Sequence, residues 1–230
     1  MSKTLAVGMT SAARKEQYSA VSLASFRDAG FDQTMHVFAE PGAADLSTLD
    51  TDVETYWNNT QLGCFPNWKH SLTWLVKNVS ADWYMIVQDD VIYRNDTWAQ
   101  LEKGINCPKY QDVGFLSPYA SAGMVSSGMR AKKGWWPAAH GPGKGFWGAL
   151  TFCMPRQSAK LLLSNKRFRN HSHYRKVDVI VGNCFRDMNR DRMICLPSLC
   201  DHIGRVSTLG RHKIKGIAHG RRGYRFRESV

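Results

Sequence analysis

Two carboxylates stand together at Asp89 and Asp90, directly after the apolar run Trp83 to Val87 and Gln88. Paired oxygen donors suit hard divalent cations such as Mg²⁺ or Mn²⁺, and those cations in turn hold phosphates. The same pair could close a surface turn with both side chains in water, and the dipeptide alone leaves both readings open. Two other kinds of stretch carry chemistry. Between Ala120 and Gly148 seven glycines punctuate the chain, and Trp135, Trp136 and Trp147 stand among Lys132, Lys133, His140 and Lys144. Such rings can stack on bases or sugars, or pin an irregular loop to a core. Basic side chains gather at Lys166, Arg167, Arg169, Arg175 and Lys176. They gather again from Arg205 onward, where eight Lys/Arg, among them Lys213, Lys215, Arg221 and Arg222, face one acid, Glu228.

The elements that must position these groups follow from periodicity. Trp83 to Val87, rich in aromatic and β-branched residues, reads as a strand buried on both faces. Acids at the carboxyl end of such a strand lie where open α/β sheets place their ligands. Thr4 to Met9 reads as a first strand, running into a small-residue loop, Gly8 to Lys15, with Arg14 and Lys15 as its cations. Glu16 to Ala29 has helical spacing and stops at Gly30, and Thr34 to Ala39 is a second strand closed by Pro41-Gly42. This βαβ unit predicts a parallel sheet. Pro41 to Gln61 is polar and reads as a loop. Asn67 is expected to cap a helix that places Trp68, Leu72, Leu75, Val76 and Val79 on one face. Further along, Trp98 to Lys103, Gln157 to Leu163 and Val177 to Met188 read as helices, the last with Asp178 near its start. Val113 to Pro118, Ala149 to Met154 and Met193 to Leu196 read as strands. The glycine-rich 120–148 segment is expected outside the core. With no repeat and no linker, the chain reads as one α/β domain over residues 1–210, a mostly parallel central sheet flanked by helices, followed by a basic tail, 211–230.

Composition narrows the classes. With 230 residues and 43% hydrophobic content the chain can bury a real core. The net charge is +12, from 31 Lys/Arg against 19 Asp/Glu, which predicts a polyanionic partner, nucleic acid or an anionic surface. No apolar segment has the length of a membrane span, and the first residues lack a signal-peptide pattern, so a cytoplasmic location is expected. The six cysteines form no C-x-x-C pair and read as reduced, structural thiols. The first loop matches neither a P-loop nor G-x-G-x-x-G, which disfavours an ATPase and an ordinary dinucleotide enzyme.

Taken in order, Gln88-Asp89-Asp90 after a buried strand, Trp147-Gly148 before a strand and helix, the acid Asp178, and Pro197-Ser198-Leu199-Cys200-Asp201-His202-Ile203-Gly204 with Ser207 resemble the metal-dependent glycosyltransferases of the GT-A fold. The opening Val7-Gly8-Met9-Thr10 with Arg14-Lys15 is similar to the nucleotide-binding first loop of those enzymes. The resemblance spans Thr4 to Gly210 and implies a Rossmann-like GT-A sheet. It implies that Asp90 matches the metal-binding aspartate of the D-x-D motif, that Asp89 lies near the ribose or sugar, and that His202 completes the shell of a Mn²⁺ or Mg²⁺ ion. It further implies that Val7, Gly8 and Thr10 cradle a uridine-type base, that Arg14 reaches the diphosphate of a UDP-sugar donor, and that Trp147 and Gly148 border the donor. Gln88 departs from the Asp or Glu usual at its position. If the reaction inverts the anomeric centre, a carboxylate must take the acceptor's proton, and Asp178 is the candidate.

The acceptor is read from charge. A basic chain with an aromatic, glycine-rich segment suits a nucleic-acid acceptor. In concrete form this is a hydroxymethylated pyrimidine such as 5-hydroxymethylcytosine in DNA, as with phage DNA-modifying enzymes, with Trp135, Trp136, Lys144, Arg167, Arg169, Arg175, Lys213, Lys215, Arg221 and Arg222 as contact residues. Two alternatives stay open: a bacterial enzyme acting on a surface-glycan or lipid-linked acceptor, and a non-catalytic nucleic-acid-binding module.

Overall fold

A computed structural model describes residues 2–138, 146, 148–172, 176–204 and 223–226. Trp147, Lys144, Arg175, Lys213, Lys215, Arg221 and Arg222 lie outside the described residues. Eight strands form one sheet in the order β3-β2-β1-β4-β8-β6-β9-β7. In chain order these are β1 (Leu5–Ser11), β2 (Met35–Ala39), β3 (Val53–Trp57), β4 (Trp83–Gln88), β6 (Phe115–Ser117), β7 (Gly134–Pro137), β8 (Thr151–Pro155) and β9 (Arg192–Leu196). Two short strands, β5 (Val91–Tyr93) and β10 (Cys200–His202), pair antiparallel as a separate ribbon. The β1–β2, β1–β4, β2–β3 and β6–β9 pairings are parallel, while β8 runs antiparallel to β4 and β6, and β7 to β9. The fold is therefore α/β, with a mixed, mostly parallel sheet flanked by helices.

The helices are α1 (Ser19–Asp28), α2 (Cys64–Asn78), α3 (Thr97–Asn106), α4 (Arg156–Ser164), α5 (Lys166–Arg169) and α6 (Val177–Asp187). Because side chains alternate across a strand, the two faces of the sheet can be separated. A Cβ on Gly8 would meet Leu75 of α2 and the facing side chains Ile86 and Phe38. Gly8 is thus the gap into which α2 settles on β1. Phe152 follows the same parity as Ile86, its partner in β8, and lies against Trp68 of α2. Thr151, of opposite parity, meets Tyr93 of β5. The ribbon, with α1 beside it, therefore covers the other face. Ser22 and Ser25 of α1 hold β5 through Val91 O at 2.7 Å and Tyr93 N at 2.7 Å.

Four local readings are corrected. Residues 53–57, expected within a loop, form β3. This edge strand pairs with β2 alone and needs no continuous apolar run, so its polar sequence hid it. The helix expected to start at Asn67 starts at Cys64. Pro66 is tolerated in that first turn, where backbone N–H groups have no intrahelical partner. Asn67 is then buried inside the helix, donating to Phe38 O and accepting from Asn58. The glycine-rich segment expected outside the core contributes β7, at the far edge of the sheet. Lastly, the strands expected from the sequence do not include the ribbon strand β10, which lies within the Pro197–Gly204 block. The six cysteines are all free, and no helix among the described residues is long and apolar enough to cross a membrane.

Phe152 centres the core. Its ring lies 4.5 Å from Phe115, 5.5 Å from Phe146 and 6.1 Å from Trp68, centroid to centroid. Phe152→Ala should lower unfolding free energy by about 3–5 kcal/mol. Val21→Ala, at a position 55% exposed, should change it by less than about 0.5 kcal/mol. Urea unfolding of both checks the contrast, and equal small effects would show that this aromatic cluster does not organise the core.

Candidate functional site

The chain fills the sheet from β1 outward to β2 and β3, then returns to place β4 on the other side of β1. The crevice between β1 and β4 is thus a topological switch point, the ligand position of open α/β sheets. Asp89 and Asp90 emerge there, and both are buried, at 1% and 2% exposure. The reading of the pair as a solvated turn is excluded.

The two carboxylates have different partners. Asp89 is fully engaged. Its Oδ2 accepts from Ser11 Oγ at 3.1 Å and Ala12 N at 3.0 Å, and its Oδ1 accepts from Arg14 Nη2 at 2.5 Å. It fixes the loop after β1. Asp90 Oδ2 meets Arg14 Nη1 at 2.7 Å and His202 Nε2 at 2.9 Å, while its Oδ1 is buried with no hydrogen-bond partner among the described residues. His202 Nδ1 is likewise buried without one. The ribbon register sets Val91, which follows Asp90, opposite His202. Gly204 closes the corner, since a Cβ there would collide with Asp90 Oδ2.

Electrostatics separates the pair further. Burial raises the Asp89 carboxyl, Arg14 opposes that, and the neighbouring Asp90 charge adds to it, with a net upward shift. Burial also pushes Asp90 upward, but the hydrogen bond and charge of His202, with Arg14, outweigh it and hold Asp90 below the usual carboxylate range. Burial pulls His202 down, and its bond to Asp90 more than reverses this. Like charges side by side cannot both stay cheaply ionised. Here Asp90 carries the settled negative charge.

Sequence-predicted residues are placed as follows. Val7 and Gly8 lie inside the sheet, bonded to both neighbouring strands, so they do not line the crevice. Thr10 is paired in the same way, and the lip is Ser11 to Arg14, where β1 has run past its pairing with β4. Asp178, in the first turn of α6, accepts from Gly148 N at 2.8 Å and from Val179 N at 2.8 Å. Gly148 has φ +106°, and a Cβ would strike Tyr119, so only glycine allows this bend. Gln88 turns its amide toward Cys64 Sγ. Trp135 and Trp136 are on β7, with β8, β6 and β9 between them and β4. At about 4.8 Å per strand, that is about 19 Å away. Trp135 donates to Gln100 O, and Trp136 to Lys133 O. Arg167 and Arg169 sit on exposed α5, and Arg167 pairs with Asp187 at 2.5 Å.

Two site groups escaped the sequence reading. Glu40, just past β2, is 3% exposed and accepts from Gly63 N at 2.5 Å. Burial raises its carboxyl, and the Asp89 charge adds to the rise. The signal was available, since Glu40 ends the second strand as Asp89 ends β4. Cys64, opening α2, is pushed up to about 12 by burial first, then by the charges of Asp178, Asp90 and Glu40, with Arg14 opposing. Its surroundings show that Asp178, Glu40, Asp90 and Arg14 converge on one edge.

A divalent ion needs oxygen or imidazole donors with free lone pairs. Asp90 Oδ1 is such a donor and His202 offers an imidazole, so the residues suit a Mn²⁺ or Mg²⁺ ion that takes its remaining ligands from a substrate. Among the described residues no group of three or more His, Cys, Asp or Glu side chains is arranged to hold an ion alone. Comparison with protein-family models and with curated proteins finds no match.

Because the folded pKa of His202 lies above its ordinary value of about 6.5, the Asp90–His202 pair stabilises fully below that value and loses its contribution as pH rises through the raised pKa. In chelator-treated protein, His202→Asn should cost more stability at pH 5.5 than at pH 8.5. Thermal unfolding of both proteins at the two pH values checks this, and a larger cost at pH 8.5 would contradict the assignment.

Proposed function

We propose that the protein is a metal-dependent glycosyltransferase of the GT-A type, moving a sugar from a nucleoside-diphosphate sugar to a hydroxyl acceptor. The observation that carries this reading is the buried Asp90 carboxylate at the β1–β4 switch point, with one oxygen unpartnered and His202 Nε2 2.9 Å from the other. Asp90 and His202 would hold Mn²⁺ or Mg²⁺, which when bound offsets the charge gathering on the leaving diphosphate. The chain's own residues supply the rest. Asp89 clamps the Ser11–Arg14 lip, so that backbone N–H groups and a guanidinium face the donor's phosphates. Glu40 lies at the carboxyl end of β2, on the side of β1 away from Asp90, where the nucleoside would lie. Asp178 is the carboxylate that would take the acceptor's proton. Its oxygens accept the backbone N–H groups of Gly148 and Val179, which fix the carboxylate at the start of α6.

The acceptor favoured here is a hydroxymethylated pyrimidine in DNA. The net charge of +12 supports it, as does the exposed cationic helix α5, which adjoins α6, the helix that carries Asp178. A cytoplasmic setting belongs to the same reading. Trp135 and Trp136, at the far sheet edge, are left out of base contact at this site.

The test incubates the protein and Mn²⁺ with a panel of UDP-sugars and DNA containing 5-hydroxymethylcytosine, then weighs the recovered nucleosides. The expected result is a sugar-mass increment on the modified base. It should weaken as salt rises, as phosphate contacts require. Asp90→Asn should retain the fold and lose at least about 100-fold in rate, the scale for removing one charge-stabilising group. Donor hydrolysis without DNA modification would remove the DNA acceptor and keep the transferase. No donor turnover with any sugar would remove both.

A further inference from the structure

Arg14 stands where a cation bound to Asp90 would have to enter. Its side chain is 12% exposed, with Nη2 2.5 Å from Asp89 Oδ1 and Nη1 2.7 Å from Asp90 Oδ2. That same Asp90 oxygen carries His202 Nε2. One carboxylate oxygen therefore already faces a guanidinium and an imidazole, and an arriving cation is opposed by the guanidinium at close range. The two ends of the Arg14 fork are unequal in consequence. Asp89 would keep Ser11 Oγ and Ala12 N if Arg14 moved. Asp90 would be left with His202 alone on Oδ2 and with Oδ1 still without a partner among the described residues.

A guanidinium forks onto phosphate as readily as onto carboxylate. A diphosphate arriving at the lip of β1 thus offers Arg14 a replacement for Asp90. We propose that Arg14 is a charge placeholder on Asp90, which a nucleoside diphosphate draws away, so that the divalent cation and the diphosphate enter the site together. This rests on the reading of Asp90 and His202 as the cation's holders. The exchange keeps a positive charge beside the buried carboxylates at every stage. An uncompensated buried charge costs several kcal/mol, and the placeholder removes that cost from the empty enzyme. It also makes the metal and the diphosphate thermodynamically coupled and reciprocal, since each assists the other's entry.

The experiment measures Mn²⁺ binding directly, by electron paramagnetic resonance of the free ion, on the full chain at pH 7.5. The arms are Mn²⁺ alone, Mn²⁺ with UDP, and Mn²⁺ with uridine. In the wild type UDP should tighten Mn²⁺ binding at least about tenfold, within the usual range of coupling between sites, and uridine should not. Arg14→Ala should bind Mn²⁺ alone at least about tenfold tighter than the wild type, and UDP should add less than it does there. Arg14→Lys, whose single ammonium cannot fork across both acids, should move in the same direction, and it decides the matter if circular dichroism shows Arg14→Ala unfolded. Mn²⁺ affinity in the folded variants equal to or below that of the wild type, with Mn²⁺–UDP binding retained in the wild type, would overturn the placeholder and leave the cation site standing. Absence of Mn²⁺ binding in the wild type even with UDP would instead remove the cation site, and the placeholder with it.

Discussion

Two adjacent carboxylates are buried at the end of a central strand, and the carboxyl edge of this sheet is built around neutralising them. Removing a carboxylate from water costs several kcal/mol unless charge and hydrogen bonds replace the solvent. Asp89 is answered by a hydroxyl, a backbone N–H and a guanidinium from the loop after β1. Asp90 is answered by the same guanidinium and by an imidazole from the far end of the chain. Each answer fixes an element. The β1–α1 loop cannot leave Asp89. The ribbon must bring β10 beside β5, and Gly204 must be without a side chain for the chain to turn past Asp90.

The division of labour between the two acids is a consequence of that arrangement. Asp89 spends its lone pairs on structure and sets the lip of the crevice. Asp90 keeps one oxygen in reserve. An unpartnered buried oxygen is a cost that calls for an explanation, and in the proposed function a divalent cation supplies it. Asp178 shows a milder form of the same economy. It anchors the bend at Gly148 and still faces the edge where Cys64 feels its charge. In the proposed function, holding the site together and serving a substrate thus fall to the same few side chains.

The interior strands were legible in the sequence because burial on both faces forces continuous apolar runs, as in Trp83 to Val87 and in Met193 to Leu196. The edge strands β3 and β7 were not, since one open side admits Glu54, Thr55 and glycine without penalty. The position of Asp89 and Asp90 at a strand end was readable, and so was the involvement of His202. What each acid does was not. It depends on partners such as Ser11 and Arg14 more than seventy residues away, and no local pattern encodes that register. Val7 and Gly8 were assigned to the crevice through the motif they open. The parallel pairing on both sides of β1 puts them in its interior and moves the lip to Ser11 and beyond. The aromatic segment is also held more firmly than its glycines suggest. Tryptophans spaced by glycines look free to stack on a ligand, yet Trp135 fills the space above Gly104 and ties α3 to the sheet edge.

The residues that hold His202 in place come from still later in the chain. Asp201 Oδ1 accepts from Gly223 N at 2.7 Å and from His202 N at 2.9 Å, while Tyr224 bridges Ala120 and Ser198 through its backbone. Gly223 lies so close to Cys200 and Ser198 that any side chain would be excluded. On a ribosome, Asp89, Asp90 and Arg14 emerge and can pair long before this clasp exists. Arg14 thus reaches the acids from within the N-terminal half of the chain, while the backbone beside His202 is held by Gly223, which also bridges to Ser121. Placement of the imidazole therefore depends on a segment well downstream of it in the chain.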